Sequence, residues 1–455
     1  MIVMKFGGSS LSTPASINSV TEIIKARLGR SPVLVVSAHG GATDILFNLA
    51  HGAVTGRYDI SEFKSLHENI IAGLGLDSRI IDGEIDELEE LLKGISYVKE
   101  LTPRSLDYVV SFGEKISSRI IAAHLSRSGV PAVACNAYDL GLVTDSHFGG
   151  ATPLPESETA IAKNLRKISD KTPVITGYIA KNKDGDITTL GRHGSDYSAS
   201  IVGAAVDAEE VQLWTDVDGV MTADPRVVPG ARPLGELSFQ EAGELAYYGA
   251  EVIHPSTMIP AVRKKIPIRV LNTYKPGSPG TIVLSECEEK PGTVQAIAHK
   301  KGLTLINVVS TRMLLQHGFM AKLFEIFNQY RIVIDMIATS EVSVSLTTYT
   351  RSNISAAVRE LSHFADVSVT EKMAIICVVG EGIPKSLDTP ARVFTSLAEK
   401  GINVRMISQG ATRINLAFLV DDRDTEAAVK ILHHNFFEQH ETGKTCQHSY
   451  LTETH

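Results

Sequence analysis

The sequence opens with Ile2-Val3-Met4-Lys5-Phe6-Gly7-Gly8-Ser9-Ser10, an apolar run that ends in two glycines and two serines. Such a run is typical of a buried β-strand, and residues 16–27 behind it carry helical periodicity. The paired glycines allow the backbone to approach a phosphate closely, and consecutive N–H groups can hold an anion. An ordinary glycine turn beside a solvated lysine remains the alternative at this point.

The same alternation of strand and helix continues through about the first 280 residues. Buried-strand patterns lie at 2–4, 32–36, 133–135, 173–176 and 211–214, and helical patterns lie at 16–27, 43–55, 84–94, 112–127, 157–168, 195–206 and 238–248. This order predicts an α/β fold with a mainly parallel sheet that helices cover on both faces. Ligands of such sheets usually lie beyond the carboxyl ends of the strands.

The composition limits the class of protein. The 455 residues suffice for about three domains, and a hydrophobic content of 43% excludes a disordered chain. The net charge of −8 gives no general attraction for nucleic acid or an anionic membrane. Four scattered cysteines argue against a disulfide scaffold or a zinc ribbon. Because Lys5 interrupts the apolar start and no apolar run reaches about 18 residues, we expect a cytoplasmic enzyme without a signal peptide.

The last third of the sequence contains an internal repeat. A polar stretch at 285–292 indicates a linker, and beyond it Ile332 and Leu346 match Ile402 and Leu416 at an offset of 70 residues. An apolar register held over more than twenty residues favours a duplicated α+β module over a chance match between two helix–strand units.

Two further stretches combine a regular element with groups that bind anions. Residues 188–196 read TTLGRHGSD, where a helix starting at Ser195 or Asp196 would offer its N-terminus to an anion beside Arg192. A helix cap with a surface arginine is the simpler interpretation. Residues 214–226, WTDVDGVMTADPR, lead from a buried strand into a loop that suits nucleotide binding. An EF-hand is excluded there, because its glycine and terminal glutamate are absent.

Six motifs in this order resemble those of the aspartate kinases. They are KFGGSS at 5–10, the stretch 37–44, SFGE at 111–114, TTLGRHGSD at 188–196, WTDVDGVMTADPR at 214–226 and GAEVIHP at 249–255. The repeat is similar to the paired ACT modules of that family's lysine-sensitive members. The resemblance implies an amino-acid-kinase domain at 1–283, a linker at 284–300, ACT-like modules at 301–369 and 370–436, and a mobile tail at 437–455.

The resemblance also implies an activity. The family phosphorylates the β-carboxylate of L-aspartate with MgATP, giving 4-phospho-L-aspartate on the route to lysine, threonine and methionine. Matching positions imply catalytic roles for Lys5 and Asp196. They imply substrate contacts from Thr43, Glu114, Arg192 and Ser195, and nucleotide contacts from Lys5, Gly7, Gly8, Ser9, Thr215, Asp216, Met221 and Arg226. No metal ligand is expected on the chain, since Mg²⁺ would be held mainly through the nucleotide phosphates.

Some positions depart from the family's pattern. Glu251 stands where many members carry a lysine, Met221 replaces a common tyrosine and His193 replaces a common glycine. The length predicts a monofunctional enzyme, without the fused homoserine dehydrogenase of some relatives. Glu251 affects one nucleotide contact of the family, whereas the residues of the chemical centre are intact. The acceptor carboxylate is already ionised, so it needs alignment and charge neutralisation rather than a strong base.

Two other functions remain open at this stage. Another amino-acid kinase, acting on acetylglutamate or glutamate, would share the fold. A catalytically inactive amino-acid sensor would share the repeat. The repeat and the 214–226 loop favour aspartate over the first alternative. The presence of Lys5, Glu114, Arg192 and Asp196 argues against the second.

Regulation and assembly follow from the same resemblance. L-Lysine is the expected feedback inhibitor, bound to the first repeat copy by Met313, Val333, Ile334, Asp335 and Ser340. Asp335 would pair with the cationic side chain of the effector, whereas the second copy has Arg405 at that position. Threonine, alone or with lysine, is the alternative effector. Small sheets with open edges predict a homo-oligomer, either a dimer or a tetramer.

Overall fold

The structure, a computed structural model, describes residues 1–249, 253–287, 294–310, 317–383, 386, 388–409 and 414–438. Its internal contacts divide the chain into two compact units. The first comprises Met1–Val220, Pro233–Ala242 and Val252–Cys287. The second comprises Met221–Arg232, Gly243–Glu251 and Glu288–His455. In the part of the chain that the structure describes, no helix is long and apolar enough to span a membrane.

Two sheets organise the first unit. Its strands, numbered along the chain, are β1 (Ile2–Phe6), β2 (Pro32–Val36), β3 (Ala132–Cys135), β4 (Val143–Thr144), β5 (Thr172–Thr176), β6 (Ile179–Asn182), β7 (Ile187–Thr189), β8 (Glu210–Thr215), β9 (Glu236–Ser238), β10 (Ile268–Asn272) and β11 (Thr281–Leu284). The larger sheet has the order β3-β5-β2-β1-β8-β10-β11-β9, and β4, β6 and β7 form the smaller one. In the larger sheet β10 and β11 pair antiparallel and the other described pairs are parallel.

Ten α-helices accompany these strands in the part of the chain that the structure describes. They are α1 (Pro14–Lys25), α2 (Ala42–Ala53), α3 (Ser61–Leu74), α4 (Asp82–Val98), α5 (Pro103–Val110), α6 (Phe112–Arg127), α7 (Glu156–Leu165), α8 (Gly194–Ala205), α9 (Phe239–Tyr247) and α10 (Pro255–Arg263). The start of α1 shows why the sequence folds this way. The Thr13 hydroxyl accepts the Ser16 N–H at 3.1 Å, the Ser16 hydroxyl accepts the Thr13 N–H at 3.1 Å, and Pro14 fixes the first helical φ angle.

The predicted fold class is confirmed, with a mainly parallel sheet and helices at all seven predicted positions. The predictions omit α3, α5 and α10. In α3 the apolar stripe of Phe63, Ile70 and Leu74 is interrupted by His67, which is itself buried. The eight residues of α5 are too few for helical periodicity to stand out.

The second unit is built on a six-stranded antiparallel sheet. Its strands are β12 (Ala296–Val309), β13 (Met336–Thr339), β14 (Ser343–Thr348), β15 (Asp366–Val379), β16 (Met406–Ser408) and β17 (Asn415–Asp421), in the order β13-β14-β12-β15-β17-β16. Its helices are α11 (Phe319–Gln329), α12 (Ile354–Leu361), α13 (Thr389–Glu399) and α14 (Thr425–His433). The elements occur twice in the same order, so the predicted duplication is confirmed.

The two copies share their longest strands. β12 and β15 each have 14 residues and begin at 296 and 366, the predicted offset. The Thr304–Val309 part of β12 pairs with β14 of the first copy on one side and with the first half of β15 on the other. The Ala296–Lys300 part of β12 pairs with the second half of β15. The Met373–Val379 part of β15 pairs with β17 of the second copy. The sheet of the first copy therefore includes the first half of β15, and the sheet of the second copy includes the first half of β12.

These strands correct the predicted boundaries. The linker at 284–300 is wrong in its last part, because β12 begins at Ala296. The division after residue 369 falls inside β15. The kinase domain at 1–283 is interrupted, since residues 221–232 and 243–251 group with the second unit. Of the predicted tail, Phe437 and Glu438 belong to a helical turn, and the rest lies outside the described residues.

Candidate active site

A cleft of about 600 Å³ opens at the carboxyl edge of the large sheet. Lys5 lies near the end of β1, Ser37 follows β2, and Tyr178 lies just beyond β5. These strands are neighbours in the order β5-β2-β1, and parallel strands present their carboxyl ends at one edge. The cleft therefore lies where the sequence predicts a ligand.

Most of the predicted catalytic and substrate residues meet in this cleft. Its lining includes Lys5, Gly8, Ser9, Thr43, Glu114, Arg192, Ser195 and Asp196. The sequence analysis missed other parts of the wall, namely Gly149 and Tyr178. Gly7, Thr215 and Asp216, which belong to the same unit, are not among the described residues that line it.

Lys5 and Asp196 form an ion pair in the cleft. The Lys5 Nζ lies 2.7 Å from the Asp196 Oδ1, and the two side chains are 13% and 10% exposed. Burial by itself raises the pKa of the Asp196 carboxyl. The charge of Lys5 and hydrogen bonds from His193 and Lys5 outweigh that effect, so this pKa lies below its usual value. Asp196 is therefore ionised at neutral pH and holds the Lys5 ammonium in place.

His193 shapes the entry to α8. Its φ angle of 58° lies in the left-handed region, which costs a residue other than glycine roughly 1 kcal/mol. The His193 Nδ1 lies 3.8 Å from the Asp196 Oδ2, and the ring stacks on His254 with 5.5 Å between ring centres. This conformation gives a physical reason for the glycine that is common at this position of the motif.

Glu114 brings a buried carboxylate to the cleft. The residue is 3% exposed, and its Oε1 accepts the Ala38 N–H at 3.1 Å. Its Oε2 has no hydrogen-bond partner among the described residues. Burial raises the pKa of Glu114 to about 8, against the opposing effects of the Ala38 hydrogen bond and the Lys5 charge. A buried carboxylate oxygen in need of a partner suits an ammonium group.

The N-terminus of α8 adds groups that attract anions. Ser195 and Asp196 lie in the first turn of this helix, whose N–H groups and dipole favour negative charge, and Arg192 lines the same cleft. Gly177 permits the close approach of this turn, because a Cβ there would lie 2.7 Å from the Ser195 side chain. The arrangement suits a carboxylate or a phosphate.

The glycine turn after β1 offers fewer N–H groups to a phosphate than the sequence predicts. A Cβ on Gly8 would lie 2.9 Å from the Ala38 carbonyl oxygen, so this position requires glycine. The Gly7 N–H, however, donates to the Trp214 carbonyl at 3.2 Å, and the Ser10 N–H donates to the Gly7 carbonyl at 3.0 Å. The expected phosphate cradle of residues 7–10 is therefore reduced to the N–H groups of Gly8 and Ser9.

The remaining predicted nucleotide contacts fall into two groups. Thr215 ends β8 in the first unit, and its hydroxyl donates to the Asp216 Oδ1 at 3.1 Å. Met221 and Arg226 belong to the second unit. There the Arg226 guanidinium donates to both carboxylate oxygens of Asp224, with a shortest distance of 2.7 Å. A nucleotide contact from these four residues stays a prediction.

Asp107, on α5, is a site residue that the sequence analysis missed. Its Oδ2 accepts the N–H groups of Gly149 and Thr189, each at 2.9 Å, and its Oδ1 accepts the Thr189 hydroxyl at 2.9 Å. Gly149 lines the cleft, and Thr189 leads into the Arg192 turn. Asp107 therefore fixes two segments of the wall. The sequence signal is weak, an aspartate between two apolar residues of a short helix.

The predicted effector residues belong to the first repeat copy. Val333, Ile334 and Asp335 precede β13, Ser340 follows it, and Met313 lies outside the described residues. The Asp335 carboxylate is buried and already paired within the chain. Its side chain is 1% exposed, and its Oδ1 accepts a hydrogen bond from the Lys300 ammonium at 2.8 Å. The same ammonium lies 4.1 Å from the centre of the Tyr349 ring.

Comparison with protein families covers both units. The sequence model of the amino acid kinase family matches residues 1–272, and that of the ACT domain matches residues 376–436. Over 456 residues the chain is 41% identical to aspartokinase 1, chloroplastic, of Arabidopsis thaliana. That alignment covers 96% of this chain and 80% of the relative.

Two solved structures of aspartokinase III from Escherichia coli are similar to the whole chain. One is a complex with aspartate and ADP in the R state, with 33% identity and a TM-score of 0.80. The other is a complex with lysine and aspartate in the T state, with 34% identity and a TM-score of 0.75. Each comparison covers 96% of this chain and 100% of the solved one.

Proposed function

The chain belongs to the aspartokinase family and is an aspartate kinase, and we propose that the Lys5–Asp196 cleft is where ATP phosphorylates the β-carboxylate of L-aspartate. The observation that carries this assignment is the buried Lys5–Asp196 pair beside Glu114 and Arg192. Aspartate bears two carboxylates and one ammonium. The cleft offers cationic and N–H groups for the former and a buried carboxylate for the latter.

Lys5 acts on the transferred phosphoryl group. Its ammonium lies at the carboxyl end of β1, where it neutralises negative charge on the equatorial oxygens as the group moves between donor and acceptor. Asp196 keeps that ammonium oriented through the 2.7 Å contact. Because the acceptor carboxylate is ionised, the residues act by alignment and charge neutralisation, without a general base.

The substrate is oriented by groups on three elements. The unpartnered Oε2 of Glu114 accepts the α-ammonium, and Arg192 offers a two-pronged guanidinium to a carboxylate. The hydroxyls of Thr43 and Ser195 line the same cleft and donate to the remaining carboxylate oxygens. Each charged group of aspartate thus has a complementary group in the cleft. This arrangement favours aspartate over a substrate without a free α-ammonium.

The nucleotide is assigned to the carboxyl edge as well. The N–H groups of Gly8 and Ser9 face its phosphates, and Thr215 and Asp216 of the same unit supply further contacts. Magnesium bound to the phosphates supplies charge neutralisation. Among the described residues, no group of three or more His, Cys, Asp or Glu side chains could hold a metal ion.

Replacing Lys5 with alanine tests the assignment. We expect turnover to fall at least about a hundredfold, the usual scale for losing one donor to a transition state, in a protein that still folds but has a lower thermal midpoint, because Asp196 loses its partner. Lys25→Ala, which removes an exposed lysine paired with Glu22, is the matched control and keeps normal turnover. A folded Lys5→Ala enzyme with unchanged turnover would contradict the role of Lys5.

A substrate panel separates this function from that of other amino-acid kinases. ADP formation is measured with L-aspartate, L-glutamate and N-acetyl-L-glutamate under one set of conditions. Acetylation removes the positive charge that Glu114 is proposed to bind, so N-acetyl-L-glutamate should be the poorest acceptor. Preferential use of either glutamate compound would remove the aspartate assignment, and no ADP formation with any of them would favour the sensor.

Feedback inhibition by L-lysine is the second part of the proposal. The Escherichia coli relative was solved with lysine bound, and the predicted contacts Val333, Ile334, Asp335 and Ser340 flank β13 here, with Met313 completing the predicted set. Inhibition requires lysine to bind the less active conformation more tightly, by about 1–3 kcal/mol for a typical coupling. Asp335→Ala should weaken inhibition by lysine. Undiminished inhibition in that variant, or inhibition by threonine alone, would contradict the site.

Assembly and location complete the proposal. The small sheets of the repeat favour a two-fold homo-oligomer, dimer or tetramer, and sedimentation of the full chain would distinguish these from a monomer. The expected cytoplasmic location stays a prediction, since similar enzymes of Arabidopsis thaliana are named chloroplastic.

A further inference from the structure

A second cavity, of about 500 Å³, lies within the first unit. Its walls are α4, α5, α6 and the hairpin between β6 and β7. Among the described residues it shares no lining residue with the active-site cleft. Glu114 and Lys115 are consecutive on α6 and line the cleft and this cavity respectively, because successive helical residues point about 100° apart.

Two lysines bring positive charge into this cavity. Lys115 is 5% exposed, and its ammonium lies 4.4 Å from the centre of the Phe112 ring and 4.9 Å from that of Tyr108. The Lys181 ammonium lies 4.1 Å from the centre of the Tyr138 ring. In the described part of the chain neither lysine forms an ion pair with a carboxylate, so aromatic faces are their nearest partners.

The carboxylates that line the same cavity are already engaged. Glu84 accepts from Arg119 at 2.6 Å, and Asp186 accepts from Arg104 at 3.3 Å. Glu87 accepts the hydroxyl of Tyr108. Glu84 and Glu87 attract Lys115 through their charge as well. The lining nevertheless has four cations against three carboxylates, and among the described residues Lys115 and Lys181 are the cations of the lining without a direct carboxylate partner. A buried ammonium without a counter-charge is costly, and a bound anion would offset that cost.

We propose that this cavity binds a small dianion that carries carboxylate or phosphate groups, held between Lys115 and Lys181. Two ammonium groups match two negative charges, and the volume lies within the roughly 300–1,000 Å³ of small-molecule sites. The Tyr138 ring covers the Lys181 ammonium, and the other aromatic rings exclude water from that of Lys115, which strengthens each charge–charge contact. Since α6 directs Glu114 elsewhere, the dianion binds together with aspartate rather than in its place.

Calorimetric titration of the full-length enzyme tests this site. The active site is first saturated with L-aspartate and ADP, and succinate and inorganic phosphate are then titrated separately. We expect Lys115→Met and Lys181→Met each to weaken binding at least about tenfold, the scale of losing one hydrogen bond to a charged group. Lys183→Met is the matched control, because that lysine is exposed on the same hairpin and pairs with Glu156. It should bind like the wild type.

Each result decides the proposal. Binding of succinate alone or of phosphate alone identifies the carboxylate or the phosphate source, and either supports the site if both substitutions weaken it. Lys181→Arg keeps the charge and should retain binding, which leaves a usable comparison if Lys115→Met fails to fold. The proposal is overturned if neither anion binds the saturated wild-type enzyme, or if binding survives both methionine substitutions.

Discussion

Glu114 is the residue whose ionisation should respond most directly to substrate. Its pKa of about 8 means that the carboxyl is mostly protonated at pH 7, whereas an α-ammonium requires the ionised form. We expect aspartate binding at pH 7 to release close to one proton, and the affinity for aspartate to rise with pH up to about 8. Calorimetry in two buffers of different ionisation enthalpy measures the proton directly.

A neutral substitution provides the control for that proton. Glu114→Gln keeps an acceptor for the Ala38 N–H and cannot ionise, so its binding heat should not depend on the buffer. If the wild type and Glu114→Gln release the same number of protons, the ammonium of aspartate does not bind at Glu114.

Lys300 should act as an internal competitor of the effector. Its ammonium occupies Asp335 at 2.8 Å, which is the contact predicted for the side chain of bound lysine. Lys300→Met leaves the carboxylate without its partner, so we expect inhibition at a lysine concentration at least about tenfold lower. Lys301→Met, which removes the neighbouring exposed lysine from Glu426, should leave the inhibition curve unchanged. An unchanged curve for Lys300→Met would show that the effector does not use Asp335.

Residues of the site were predictable where the chemistry lies within a short motif. Lys5, Glu114 and Asp196 each stand inside one, so their meeting in a cleft follows from the parallel sheet. The partners of Asp335 and Asp107 were not predictable. Lys300 is 35 residues away from Asp335 and Thr189 is 82 away from Asp107, and strand and helix packing bring them together.

Asp107 should affect both stability and aspartate binding, because it joins two segments of the cleft wall. Asp107→Asn removes the negative charge that holds two N–H groups and replaces the second acceptor oxygen by an NH2 group, and hydrogen bonds to a charged group are worth about 1.5–3 kcal/mol. We expect unfolding at lower urea concentration and a raised KM for aspartate, because Gly149 and Thr189 are no longer tied together. Asp184→Asn, at an exposed position of the β6–β7 hairpin, should change neither quantity. A destabilised Asp107→Asn enzyme with an unaltered KM would limit the residue to a structural role.

Whole elements were predictable where apolar patterns are continuous. The strands around β1 and the helices α6 and α8 fall within a few residues of their predicted limits. The start of β12 could not be predicted in this way. Lys300 and Lys301 follow its first buried residues and resemble the end of a polar linker. The stripe of α3 was hidden by His67, a polar residue that packs as if it were apolar.

The pH dependence of the free energy of unfolding reflects buried histidines. Burial lowers the pKa of His39 to about 3 and that of His67 to about 4, against about 6.5 in an unfolded chain. Between pH 6.5 and 4 the unfolded chain therefore binds protons that the folded one does not. Stability should fall as the pH falls through this window, by about 3 kcal/mol for each histidine. Glu114 acts in the opposite direction, since its raised pKa favours the folded state below pH 8.

Urea unfolding from pH 7 to pH 4 checks this expectation. His67→Asn cannot titrate and places an amide N–H where Nδ1 contacts the Phe63 carbonyl, so its stability should decline less steeply than that of the wild type. Equal declines would mean that His67 is charged in the folded protein or does not contribute to the acid sensitivity.

The strands that the two repeat copies share restrict how this enzyme can be rebuilt. A regulatory copy that completed its own sheet could be exchanged between relatives as a cassette, and each copy could drift toward a different effector. Here a cut between the copies passes through β15, and removing the first half of β12 opens the sheet of the second copy. Grafting of effector specificity should therefore succeed for the pair and fail for either copy alone. The two repeat copies therefore form a single exchangeable unit.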